Sequence, residues 1–115
     1  DLLTPFDYVG AMRQQDMEMI EIIAHVFLEQ WPQDKARLET TLRSGEWKSF
    51  VLTVHALKGN MQLFGAEPAA ALAAQLEAAV RENRIDGMEQ QLVLLCAEVD
   101  NVVRALQQVV VAPTQ

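Results

Sequence analysis

The chain has 115 residues, half of them hydrophobic, with only four prolines and five glycines, a composition that fits one packed globular domain and excludes a disordered segment. Its net charge of −7, with no cluster of Lys or Arg, lacks the basic footprint of a nucleic-acid binder. The single cysteine, Cys96, cannot close an internal disulfide, and no secretion signal or long uncharged span is present, so a cytoplasmic domain with no direct membrane contact is expected.

Apolar residues recur at helical spacing almost throughout, and no stretch alternates apolar and polar for long enough to read as a strand. The expected fold class is all-α. Asp1 stands where an initiator methionine would, as in a processed chain or a piece of a longer protein. Thr4-Pro5 fits an N-cap followed by proline at the first helical position, opening a short helix through about Met12. Asp16 reads as the cap of a second helix to about Gln30, with Ile20, Ile23, Ala24, Phe27 and Trp31 along one side. Pro32 restarts the chain, and Leu38 and Leu42 mark the buried stripe of a helix that stops at Ser44-Gly45.

From Glu46 to Phe64 the residues Trp47, Phe50, Val51, Val54, Leu57, Met61 and Phe64 keep helical period, and Gly65 supplies the next stop. Pro68 begins an alanine-rich helix to about Asn83. Asp86 then caps a last long helix carrying Leu92, Leu95, Val99, Val102, Val103 and Leu106, with Cys96 on its buried stripe. Short connections favour antiparallel neighbours, so the expected architecture is an up-down four-helix bundle with a short additional N-terminal helix. One domain is expected over 1–115, with its core at about 16–110, a helical extension at 1–15 and a frayed tail at 113–115.

Each helical residue turns the chain by about 100°, so positions three, four and seven beyond His55 return to its direction. Lys58, Gly59 and Gln62 therefore share its face, and the core stripe points elsewhere, leaving His55 at or near solvent. An imidazole with the ordinary histidine pKa of about 6.5 is mostly neutral at cellular pH and keeps a free lone pair, which suits a nucleophile for phosphorus. Lys58 can place an ammonium beside a phosphorylated ring. Gln62 can hydrogen-bond either the ring or an incoming phosphoryl oxygen.

A glycine in mid-helix costs about 1 kcal/mol relative to alanine, and Gly59 sits away from both ends. The missing side chain opens room for a bulky partner to reach the ring nitrogen, which is the main requirement of an in-line transfer. Leu52 and Leu63 also project on the His55 side. With Val51 at the border, they either form an apolar collar for a docking protein or lie under another helix. His25, between Glu21 and Glu29, reads as a solvated histidine, and neither histidine nor Cys96 shows metal-ligand spacing.

The run His55-Ala56-Leu57-Lys58-Gly59, followed six residues later by Gly65, resembles the signature of histidine phosphotransfer (HPt) domains. The likeness extends to Phe27-Leu28, Leu38, the Gly45-Glu46-Trp47 turn, Gly65-Ala66 and the segment from Leu72 to Leu76, and covers roughly Ile20 to Leu106. It implies that His55 accepts a phosphoryl group from a receiver-domain aspartate and passes it to another receiver, with Lys58 as the phosphate-supporting cation and Gly59 as the access glycine. It implies receiver domains as partners, Mg²⁺ in the partner's acidic pocket rather than here, and no ATP site on this domain. Asn60 and Met61 depart from the family's pattern, where the two positions after the glycine are commonly small. Met61 points to the core, and Asn60 can alter partner choice.

The leading expectation is a phosphocarrier module of a hybrid sensor kinase, monomeric as an isolated domain and in the parent chain tethered to the membrane or free. Two others stand beside it: the phosphorylated domain of a chemotaxis-type kinase, which has a similar motif and receives its phosphate from ATP through a separate catalytic domain, and a helical docking module that is never phosphorylated.

Overall fold

The computed structural model describes the backbone of residues 5–110 and the side chains of residues 17–108. Thr4 and the tail at 113–115 lie outside the described residues. Four helices follow one another: α1 (Pro5–Ser44), α2 (Trp47–Leu63), α3 (Glu67–Arg81) and α4 (Met88–Val110), with no strand among the described residues. Each packs on its neighbour in sequence, and α4 closes the ring against α1, as an up-down bundle requires.

The first three predicted segments are one helix. No separate N-terminal helix stands before α1, and both Asp16 and Pro32 lie inside the helix rather than at a boundary. A proline there removes one backbone hydrogen bond and crowds the preceding turn. Tertiary packing offsets that cost, because Ala24, Phe27, Trp31 and Leu38, on both sides of Pro32, are all buried in the same core. Phe27 stacks on Trp31 with ring centroids 5.9 Å apart and meets the edge of Phe64 at 5.6 Å. Across the bundle the Trp31 indole donates to Asp100 Oδ1 at 2.9 Å, and Lys35 Nζ reaches Asp100 Oδ2 at 3.1 Å, which ties α1 to α4.

The helix ends were legible. Gly45 and Gly65 both take a positive φ, 75° and 74°. Each lets the next amide turn back on its helix: Glu46 donates to the Thr41 carbonyl at 3.0 Å and Ala66 to the Met61 carbonyl at 2.8 Å. This is the six-to-one closure for which glycine is favoured. Asn83 ends α3 in the same way, with Arg84 donating to the Ala79 carbonyl at 2.7 Å. The start of α4 falls one residue later than expected. Gly87, not Asp86, occupies the cap position, its carbonyl accepting the first helical bond from Gln91 at 3.0 Å.

The core is built from Phe50, Val54, Leu57 and Met61 of α2, the alanines and Leu76 of α3, and Met88, Leu92, Leu95 and Val99 of α4. Ala69, Ala70, Ala73 and Ala79 are buried, so α3 presents small side chains inward and can lie close to its neighbours. Cys96 belongs to this interior, and burial pushes its thiol up to about 11, which keeps it protonated and poorly nucleophilic.

Candidate functional site

The site occupies the outer face of α2 and the facing edge of α3. Because Phe50, Val54, Leu57 and Met61 fix the rotation of α2 by their burial, His55 must point away from the core. Its side chain is 65% exposed. Lys58 lies one turn on and is partly buried. An added Cβ at Gly59 would meet nothing within 4 Å, so the space beside the ring is open. Gln62 is exposed on the same face, and its backbone carbonyl accepts from the Gly65 amide at 3.1 Å. Met61, which departs from the family's usual small residue, is fully buried.

Leu52 and Leu63 are 64% and 41% exposed and Val51 is half-buried. Among the described residues no helix covers the two leucines, which favours the collar over burial under another helix. They flank the histidine as uncovered apolar surface, beside Gly59 and Ala56. His25 is exposed, as a solvated histidine would be. No group of acidic, histidine or cysteine side chains suited to a metal occurs among the described residues.

One member of the site was not singled out in the sequence. Glu77, on α3, places Oε2 2.5 Å from His55 Nδ1 and Oε1 2.6 Å from Lys58 Nζ, bridging both with a single carboxylate. Its side chain is 12% exposed. Partial burial pushes its carboxyl up, but the hydrogen bonds from Lys58 and His55 outweigh this and hold it below the usual carboxylate range. An ionised carboxylate can only accept. Nδ1 must therefore carry a hydrogen toward Glu77, and in the neutral ring this leaves the lone pair on Nε2, the nitrogen farther from the backbone.

Glu77 follows Leu76, which is fully buried, so the residue after this core position is delivered to the rim of α3 beside α2. The available signal was the position of Glu77 immediately after the segment from Leu72 to Leu76, on a helix that must pack on α2. Helical arithmetic along one helix cannot reach a partner on another, which is why the carboxylate escaped.

The arrangement offers a ring nitrogen facing solvent, a cation one turn away, clear space for an approaching active site and an apolar border. A comparison with family models matches residues 22–108 to the Hpt domain. No curated protein matches the chain, and no solved structure does.

Proposed function

The chain belongs to the Hpt domain family, and from that premise we propose that His55 is the phosphorylated residue of a phosphorelay carrier. Members of the family transfer phosphoryl groups through a histidine, interact with receiver domains and have no catalytic activity of their own. The finer reading is that His55 takes its phosphoryl group from a receiver aspartate and gives it to the aspartate of another receiver.

In the forward step the lone pair of His55 Nε2 attacks the phosphorus of an aspartyl phosphate. The new N–P bond forms as the bond from phosphorus to the aspartate oxygen breaks, and the aspartate leaves as a carboxylate. The proton on Nδ1 stays where it is, shared with Glu77, so no base is needed to release it. Lys58, held at the edge of the site by the same carboxylate, supplies positive charge to the phosphoryl oxygens. Return of the group to a second receiver reverses each of these events. Mg²⁺ belongs to the receiver's acidic pocket in this scheme, and the domain needs neither ATP nor a metal of its own.

The observation that carries the reading is the ring of His55, anchored through one nitrogen and open to solvent at the other. The coexistence of His55, Lys58, Gly59 and the Glu77 anchor favours a phosphorylated module over one that only docks. Val51, Leu52 and Leu63 serve as the docking border for the receiver, Gln62 as a hydrogen-bond donor to the transferring group, and Asn60 as a contributor to the choice of receiver. We assign the chain as one domain, working in the cytoplasm within or beside a hybrid sensor kinase. No helix among the described residues is long and apolar enough to cross a membrane.

The test is transfer from a panel of phosphorylated receiver domains to this chain and to His55→Gln. Acid-labile, base-stable label on the parent and none on the variant is the expected result. Label on both chains would place the acceptor elsewhere.

A further inference from the structure

We propose that the outward face of α1 between Glu18 and Glu29 is a docking surface for a cationic amphipathic helix of another protein. Met19, Ile22 and Val26 are 62%, 65% and 60% exposed. Their spacing of three and then four brings them to one side of the helix, as an apolar stripe two turns and about 10 Å long. The core does not use it, since Ala24, Phe27 and Trp31 enter the core from another side of the same helix. The neighbouring helices leave it bare. Phe27 meets Phe64, the residue after α2, so in an antiparallel pair the turns of α1 before Phe27 run on past the end of α2. The α4 helix lies on the flank marked by Trp31 and Lys35, which both reach Asp100, about 150° around α1 from the stripe.

Charge selects the occupant. Glu18 and Glu29 lie along one edge of the stripe with Glu21 behind them, all three exposed, and no lysine or arginine occurs from Gln14 to Asp34. The first two bases beyond it are engaged, Lys35 by Asp100 at 3.1 Å and Arg37 by Asp34 at 3.9 Å. The adjoining end of α2 with its turn, Asn60 to Ala66, carries no charge. A second copy would bring the same acids and an anionic membrane the same sign, so neither complements the stripe. A helix with aliphatic side chains at i, i+3 or i+4, and i+7 covers it, and Lys or Arg beside them answer Glu18 and Glu29.

The exposed Val93 and Leu94 of α4 differ in this respect. The charges around them, Glu39, Arg43 and Glu89, include both signs and select no such partner. Since His55 stands nine residues before Phe64 and turns toward Glu77 of α3, the α1 stripe is separate from it, and the proposal does not depend on the assignment of His55.

Fluorescence anisotropy of a dye-labelled helical peptide of leucine and lysine, titrated with the 115-residue chain, tests the proposal. Peptides with glutamate in place of lysine, or serine in place of leucine, are the controls, and circular dichroism checks that each variant is folded. The leucine–lysine peptide is expected to bind, and both controls to bind more weakly. Ile22→Ser weakens binding at least about tenfold, the loss expected when one aliphatic side chain leaves an interface. Glu18→Lys with Glu29→Lys weakens it as well, and Leu94→Ser leaves it unchanged. Absence of binding overturns the proposal, as does equal binding by the parent and both α1 variants, or a serine–lysine peptide that binds as tightly as the leucine–lysine one. Vesicles of anionic lipid that bind the parent and not Ile22→Ser, or a dimer of the parent that Ile22→Ser abolishes, would also overturn it, by giving the stripe another occupant.

Discussion

His55 Nδ1 and Glu77 Oε2 stand 2.5 Å apart, so a carboxylate from α3 fixes which nitrogen of an α2 histidine faces solvent. The consequence is kinetic. An anchored ring presents one nitrogen in one direction, whereas a free imidazole divides its time between two tautomers and several rotamers.

Replacing the anchor should slow transfer without unfolding the domain. Glu77→Ala is expected to lower the rate of phosphotransfer from a receiver between about 10-fold and 100-fold, the range that loss of positioning commonly costs. Glu77→Gln keeps an amide oxygen that still accepts from Nδ1–H and should fall between the two. Rapid-quench transfer assays measure the rates, and the ring ¹⁵N shifts of His55 report the tautomer. Identical rates for parent and Glu77→Ala would remove Glu77 from the mechanism.

Gly59 separates access from stability. Since a Cβ there would meet nothing within 4 Å, Gly59→Ala should stabilise the folded chain by about 0.5–1 kcal/mol, the helix-propensity difference. Gly59→Glu keeps helical content and fills the space in front of the ring, so transfer should slow markedly. Chemical denaturation and the transfer assay read the two effects independently. Fast transfer in Gly59→Glu would show that the receiver approaches from another side.

Acid should destabilise the bundle through two carboxyls in particular. Glu77 and Asp100 both lie below the ordinary range; partial burial raises each, and their hydrogen bonds, from Lys58 and His55 in one case and Trp31 and Lys35 in the other, prevail. A carboxyl depressed in the folded state contributes stability that is complete above its unfolded pKa, about 4, and is lost as pH falls through the folded value. Asp100→Ala should cost about 1–2 kcal/mol near neutrality, because the buried Trp31 indole loses its acceptor, and should flatten the acid limb of stability against pH. An unchanged acid limb in that variant would assign the pH dependence to other groups.

Pro32 provides a test of how α1 is held together. The residue is exposed and inside the helix, so Pro32→Ala restores a backbone donor without disturbing the core. Thermal unfolding should show a gain of up to about 3 kcal/mol. A loss would mean that the proline sets a bend on which the seating of Trp31 or Leu38 depends.

Pro32 also marks where the sequence was hard to read. A proline between two helical patterns ordinarily signals a break, and only the shared burial of Phe27, Trp31 and Leu38 against one core reveals that the helix continues. The α2 face was fully legible, because His55, Lys58, Gly59 and Gln62 lie on one helix, where rotation follows from spacing alone. Gly45 and Gly65 announced their turns for the same local reason. Glu77, Asp100 and the pairing of Trp31 with Asp100 depend on contacts between helices distant in sequence, and the chain carries no periodic signal for those.

The central claim is that phosphorus resides on His55 at Nε2, with Nδ1 still turned to Glu77. Correlated ³¹P and ¹⁵N NMR of the chain, labelled by a phosphorylated receiver, measures this directly. The expected spectrum shows one N–P coupling, to the Nε2 resonance of His55, and none in His55→Gln. Coupling to Nδ1, or phosphorus on any other residue, would contradict the anchored-ring account.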